Sequence, residues 1–199
     1  SSDVCSSDLV AGGFESATDQ KAIVFIGDST FFHSGIPPLT SALFNDHKIV
    51  MVILDNRSTA MTGHQPNPGT GRKFGSVATE PIDIEKLVRG LGIKFVESIN
   101  PYNVKSAEKV MKDALDFDGV AVVISKCPCP LELKKSKTLQ IKECSVDQSK
   151  CIRCHTCLKT IACPALLKKG KDVETDPTQC IGCGMCANVC PKGAIEVKG

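Results

Sequence analysis

The sequence predicts an α/β chain: a parallel-sheet domain with helical crossovers, followed by a small α+β domain organised by cysteine. Two observations carry this expectation. Short, continuous apolar runs alternate with segments of helical character between residues 22 and 125, the pattern of strands buried on both faces and joined through helices. From residue 149 onward the pattern changes, and eight of the twelve cysteines fall there in two matching sets, whose first three members are offset by 29 residues.

Residues 1–9 (SSDVCSSDL) repeat Ser-Ser-Asp around Val4-Cys5 and have no periodicity. They are read as a non-native segment, and Cys5 is given no role; recovering these residues by N-terminal sequencing of the natural protein would overturn that. The first domain is expected over 10–126. Its first strand is the run Ala22-Ile23-Val24-Phe25-Ile26, which ends at Gly27-Asp28-Ser29. A helix over 36–46 follows, with Pro37 and Pro38 in the first turn, where a missing N–H costs little. Residues 48–55 (KIVMVILD) form a second buried strand. Residues 56–78 are a polar loop with four glycines and two prolines, a length that in compact domains usually carries function. Helix 82–90, strand 93–97, helix 104–117 and strand 119–125 complete the alternation. Residues 127–148 read as a lysine-rich linker, and 149–199 as the second domain.

In that second domain the order is Cys151-x2-Cys154-x2-Cys157, Cys163-Pro164, Cys180-x2-Cys183-x2-Cys186 and Cys190-Pro191. A C-x2-C-x2-C run wraps three thiolates around one face of an iron–sulfur cubane. In two-cluster ferredoxins the fourth ligand comes from the Cys-Pro pair of the other half. On that rule Cys151, Cys154, Cys157 and Cys190 hold one [4Fe-4S] cluster, and Cys163, Cys180, Cys183 and Cys186 hold another. Disulfides would need an oxidising compartment, and zinc ribbons rarely continue into a third cysteine followed by Cys-Pro. The halves differ in one respect: five residues separate Cys157 from Cys163, against three between Cys186 and Cys190. Cys127, Cys129 and Cys144 lack a completing fourth partner and read as buried or incidental thiols.

Composition sets outer limits. A hydrophobic content of 42% suits a chain with a real core, and a net charge of +2 offers no electrostatic case for nucleic acid or an anionic membrane. No apolar run approaches the ~20 residues that span a bilayer. With thiolate ligands and no secretory signal in view, the expected location is cytoplasmic.

A second candidate site lies in the α/β half. Gly27-Asp28-Ser29 and Asp55-Asn56 end successive strands, with 26 residues between Ser29 and Asn56. Both strand ends open onto the edge where parallel sheets bind ligands. A small residue after the turn lets backbone approach a diphosphate, while Asp28 and Asn56 offer oxygens to a hard divalent cation. A phosphate loop at Gly69-Thr70-Gly71-Arg72-Lys73 fails on spacing. His33 and His64 lie in the loops lining this edge and could orient or protonate a reacting group, or equally cap a loop. His47 and His155 read as structural.

The pairing G-D-[GS] with a downstream Asn resembles the diphosphate motif of thiamine diphosphate enzymes. The resemblance implies Mg2+ held by the side chains of Asp28 and Asn56 and the carbonyl of Ser58, with Gly27 and Ser29 beside the cofactor. The blocks GDSTFFHSGIPPL and DNRSTAMTGHQPNPGTG look like the 2-oxoacid:ferredoxin oxidoreductases, most closely the large (alpha) subunits of the indolepyruvate type. This resemblance spans residues 12–199, and Ser29 in place of a second glycine fits it. It implies oxidative decarboxylation of an aryl 2-oxo acid, with thiamine diphosphate, Mg2+ and two [4Fe-4S] clusters as cofactors. The acyl group would pass to coenzyme A and the electrons to external ferredoxin, alongside a smaller (beta) partner subunit. Family members also use an upstream domain that binds the aminopyrimidine ring, so turnover by these 199 residues alone is not expected. A pyruvate or 2-oxoglutarate relative, and a non-catalytic iron–sulfur electron carrier, are the competing readings.

Overall fold

Strand β2 (Ile49–Asp55) is the centre of the larger of two units, because six of its seven residues are buried. Its side chains alternate between two cores, as a pleated strand requires. Ile49, Met51 and Ile53 pack with Val24, Ile26, Leu39, Val88, Val122 and Ile124, while Val50 and Val52 pack with Ala121, Val123 and Ala114. A computed structural model describes residues 4–18, 20–75, 78–135 and 143–198. Residues 1–3 of the segment read as non-native, 136–142 of the expected linker and Gly199 lie outside the described residues.

The chain opens with helix α1 (Val4–Thr18), then β1 (Ala22–Gly27). A short helical turn Asp28–Thr30 and a π-helical turn Phe31–Gly35 lead into α2 (Ile36–Phe44), with Pro37 and Pro38 in its first turn. After β2 come α3 (Ile84–Gly90), β3 (Phe95–Ile99), α4 (Val104–Asp116) and β4 (Ala121–Lys126). All strand pairs are parallel, in the order β1-β2-β4-β3. Helices α1, α2 and α3 contribute Ala11, Leu39, Ala42, Ile84 and Val88 to one core; α4 covers the other face through Ala107, Val110, Met111 and Ala114.

Helix α1 runs through residues 9 and 10, where the sequence reading set a boundary, and carries Ala11 into the core. One expectation changes. Residues 127–148 are not simply a linker. They contain helix α5 (Pro130–Lys135) and strand β5 (Cys144–Val146), and β5 pairs antiparallel with β8 (Ile195–Val197). The smaller unit therefore begins before residue 149. It runs from Pro130 and takes in the turn Tyr102–Val104; the larger unit holds residues up to Pro101 and Lys105–Cys129. The smaller unit also contains α6 (Thr156–Ile161), the hairpin β6 (Leu166–Lys169)–β7 (Asp172–Thr175) and α7 (Met185–Asn188).

At the first turn of α3, the Glu85 carboxylate ties helix to sheet. It accepts hydrogen bonds from Ser98 Oγ (2.7 Å), Lys126 Nζ (2.9 Å) and Arg89 Nη2 (3.1 Å). Ser98, then Lys126, hold its acid form down to about 2. A carboxylate with a depressed folded-state pKa contributes stability that is complete above its ordinary range and is lost as pH falls toward the folded value. Glu85→Gln is thus expected to weaken the fold at pH 7, with a deficit that shrinks below about pH 4.5 and closes near pH 2. Urea denaturation across that range checks this; a deficit independent of pH would refute the assignment.

Candidate cofactor edge and cysteine centre

Parallel pairing brings the predicted site residues together. Gly27 lies opposite Leu54, so Asp28 and Asp55 leave adjacent strands at the same sheet edge. The helical turn after Gly27 folds tightly over the sheet. A Cβ on Gly35 would come within 2.7 Å of Ile26 Cδ1 and 2.9 Å of the Phe31 ring, so glycine is needed for that approach.

Asp28 is only 2% exposed. Its Oδ1 accepts from the Ser29 amide (2.8 Å) and its Oδ2 from Asn67 Nδ2 (3.1 Å). Burial raises its pKa, these neutral donors pull it back, and the nearby Asp55 carboxylate adds to the rise. Asp55, equally buried, pairs with Arg57 Nε at 3.2 Å. Asn56 Oδ1 accepts from the Ser58 amide (2.9 Å), an Asx turn that curls the second loop back on itself. Thr59 Oγ1 donates to Ser29 Oγ at 2.9 Å and joins the two loops directly. His64 Nδ1 lies 3.1 Å from Ser58 Oγ, which places this histidine against the predicted metal loop. His33 sits on the π-helical turn with its side chain exposed.

Several contributors were not visible in the sequence. Asn67 is buried, and its Oδ1 takes the Gly69 amide (3.0 Å) while its Nδ2 serves Asp28. Arg57, in a left-handed conformation (φ 58°), donates to the Gly69 carbonyl at 2.7 Å. The Cys127 and Cys129 amides donate to the carbonyls of Asp55 and Asn56, both at 2.9 Å, so this pair buttresses the loop with its backbone. The result is a buried carboxylate faced by neutral donors, beside an amide oxygen and a second carboxylate. That donor set suits a hard divalent cation.

In the smaller unit the 29-residue repeat is a structural repeat. Asp147 Oδ1 accepts the Ser149 amide and Asp147 O the Cys151 amide; Asp176 and its neighbours Thr178 and Cys180 repeat both bonds. Cys151, Cys154, Cys157 and Cys190 ring one cavity, closed by Val173 and Ile195. Cys163 packs against the small core that holds Cys180 and Cys186; Cys183 is half-buried. Among the described residues no three Cys, His, Asp or Glu side chains close on one point as a single metal ion requires; four thiols around a cavity suit a larger inorganic unit. Burial raises the Cys157 thiol and, with charge on Cys144, pushes Cys186 up to about 12. Such thiols become thiolates when a metal replaces the proton. Cys144 is buried beside this second set: its amide lies 3.4 Å from Cys180 Sγ and its thiol faces Cys186.

Residues 10–125 match the family "Thiamine pyrophosphate enzyme, C-terminal TPP binding domain". The chain belongs to the thiamine pyrophosphate enzymes. Residues 173–196, which contain Cys180, Cys183, Cys186 and Cys190, match the 4Fe-4S binding domain family. Among curated members of known name, the chain is similar to the indolepyruvate oxidoreductase subunit IorA of Methanothermobacter thermautotrophicus, at 47% identity over 188 residues. The match covers 94% of this chain and 30% of that protein. The subunit of the same name from Archaeoglobus fulgidus is 45% identical with the same coverage. The chain therefore spans about 30% of the length of these relatives. A solved 2-oxoglutarate:ferredoxin oxidoreductase from Magnetococcus marinus has the same fold, with a TM-score of 0.55 at 18% identity over 63% of this chain and 46% of that one. Among the described residues, no helix is long and apolar enough to cross a membrane.

The Asp55–Arg57 pair makes this sheet edge sensitive to a substitution outside the predicted ligand set. Arg57→Ala would leave the buried Asp55 carboxylate without its cation, keeping only the residue 57 amide, at a cost of about 1–3 kcal/mol, and would release the loop at Gly69. Denaturant titration measures the loss; unchanged stability would mean that Asp55 finds another partner.

Proposed function

We propose that this chain supplies the diphosphate site and the electron relay of a 2-oxoacid:ferredoxin oxidoreductase of the indolepyruvate type. The observation that carries the reading is one polypeptide with two sites: a sheet edge built on Asp28 and Asn56, and a cysteine unit with a ring of four thiols. Similarity to the IorA subunits favours the indolepyruvate type.

The side chains of Asp28 and Asn56 and the Ser58 carbonyl would hold Mg2+, with Gly27 and Ser29 beside the diphosphate. Asn67 keeps the Asp28 carboxylate aimed by occupying one of its oxygens. His64, tethered through Ser58, orients groups at the edge, and His33 stands free to meet substrate from the π-helical turn. When bound, thiamine diphosphate supplies the electron sink for loss of CO2 from the 2-oxo acid. The net change converts the 2-oxo acid, coenzyme A and two oxidised ferredoxins into acyl-CoA, CO2, a proton and two reduced ferredoxins. Cys151, Cys154, Cys157 and Cys190 carry one [4Fe-4S] cluster of the relay, and Cys163, Cys180, Cys183 and Cys186 the other. A smaller partner subunit and a cytoplasmic setting complete the proposal. Identity of 28% over 129 residues to the 2-oxoglutarate synthase subunit KorB of Archaeoglobus fulgidus favours, as second reading, a 2-oxoglutarate-specific enzyme. A substrate panel on the complete complex separates the two.

Two measurements test the sites independently. Anaerobically purified chain is expected to contain about eight iron and eight acid-labile sulfide, as two cubanes require, with visible absorption bleached by dithionite. Zinc without sulfide would remove the relay. Calorimetry is expected to find Mg2+-dependent binding of thiamine diphosphate that Asp28→Ala abolishes; binding unaffected by that substitution would remove the proposed metal site.

A further inference from the structure

We infer that the cluster ringed by Cys151, Cys154, Cys157 and Cys190 is the higher-potential centre and the exit point for electrons, with the Thr156 hydroxyl as a principal cause. The inference rests on the two-cluster reading above and concerns the difference between its halves. The 29-residue repeat sets Arg153, His155 and Thr156 against Gly182, Gly184 and Met185. Both halves adopt left-handed backbone at the first two of these positions. Gly182 (φ 66°) and Gly184 (φ 74°) adopt it without penalty, whereas Arg153 and His155 (both φ 58°) do so against the steric preference of residues that carry a Cβ. Their side chains are then fastened to the β6–β7 hairpin. Arg153 Nε donates to Asp172 Oδ1 (2.6 Å), and His155 Nε2 lies 3.1 Å from the Lys171 carbonyl.

The polar loop acts on the sulfurs as well. Thr156 Oγ1 donates to Cys154 Sγ at 3.3 Å; its counterpart Met185 has no proton to donate. Backbone donors reach both sets, with Ala194 N at 3.2 Å from Cys190 Sγ in one and Cys144 N at 3.4 Å from Cys180 Sγ in the other. The Cys144 thiol, which donates to Cys180, is a weaker donor than a hydroxyl. Lys192 lines the cavity of the first set, and Cys154 is exposed where Cys183 is half-buried. Reduction adds negative charge that spreads over the sulfurs. Hydrogen-bond donors, a nearby cation and water all stabilise that charge and raise the potential. All three favour the first set. One electron at a time therefore moves from the second cluster to the first, then across the exposed Cys154 edge to a soluble one-electron iron–sulfur carrier.

The test is a redox titration of the full chain, prepared anaerobically and followed by electron paramagnetic resonance. Wild type should give two midpoints. Thr156→Val should lower only the higher one, Thr156→Ser should restore it, and Met185→Thr should raise only the lower one. If Thr156→Val moves the lower midpoint, or neither, while iron and sulfide stay at about eight each, the assignment is overturned. Iron near four in the wild-type chain would overturn the two-cluster reading itself, whatever Thr156 does.

Discussion

Burial of the Asp28 carboxylate constrains the architecture of the larger unit's site. A carboxylate at 2% exposure has lost nearly all its water, and an ionised group in that position must recover its interactions from fixed dipoles or a cation. The strand end offers one donor, the Ser29 amide. The Ser58 amide adds a second, and the side-chain donor, Asn67 Nδ2, comes from a loop 39 residues downstream. That need explains why residues 56–75 after β2 fold back on the strand ends despite having almost no regular structure. Asn67 is pinned by the Gly69 amide, Gly69 by Arg57, and Arg57 by Asp55. The loop is a chain of polar contacts leading back to the second strand end. Its glycines and prolines provide turns, while its few polar side chains provide the attachment.

The same chain of contacts separates what could be read in advance from what could not. Apolar runs such as 22–26 and 48–55 announce strands because a strand buried on both faces has no other way to look. Their ends at Gly27-Asp28 and Asp55-Asn56 were legible as a ligand-binding edge for the same reason. Asn67 was not, since an asparagine between two prolines is ordinary turn chemistry until its partner is known. Strand β3 runs Phe95–Ile99, two residues later than expected from 93–97. Gly92 turns the chain in a left-handed conformation, and Ile93 is buried before pairing begins. Strand β5 escaped notice because three residues in a lysine-rich stretch have no period. Its partner, β8, lies some fifty residues away, and only tertiary pairing identifies it. Cys127 and Cys129, whose thiols read as buried or incidental, contribute through their amides, which hold the Asp55 and Asn56 carbonyls.

In the smaller unit the repeat extends well beyond the cysteines, and this accounts for the irregular spacing before Cys163. Helix α6 has six residues and its counterpart α7 four. The two extra residues between Cys157 and Cys163 are thus taken up as helix, which ends in a left-handed residue, Ala162 (φ 49°). After the Cys-Pro pair the difference reverses, because Lys192 and Gly193 have no counterpart between Pro164 and Ala165. The 29-residue register is restored at Ala165 and Ala194. Their carbonyls accept the amides of Asp176 (2.8 Å) and Asp147 (2.7 Å), the residues whose side chains shape the approach to Cys180 and Cys151. Each half thus closes on the other through the same bond, and the insertion is confined to a helix end and one short loop. Altering length there leaves the cross-connection intact. Altering it between Asp147 and Cys151, or between Asp176 and Cys180, would break the turn that starts each cysteine run.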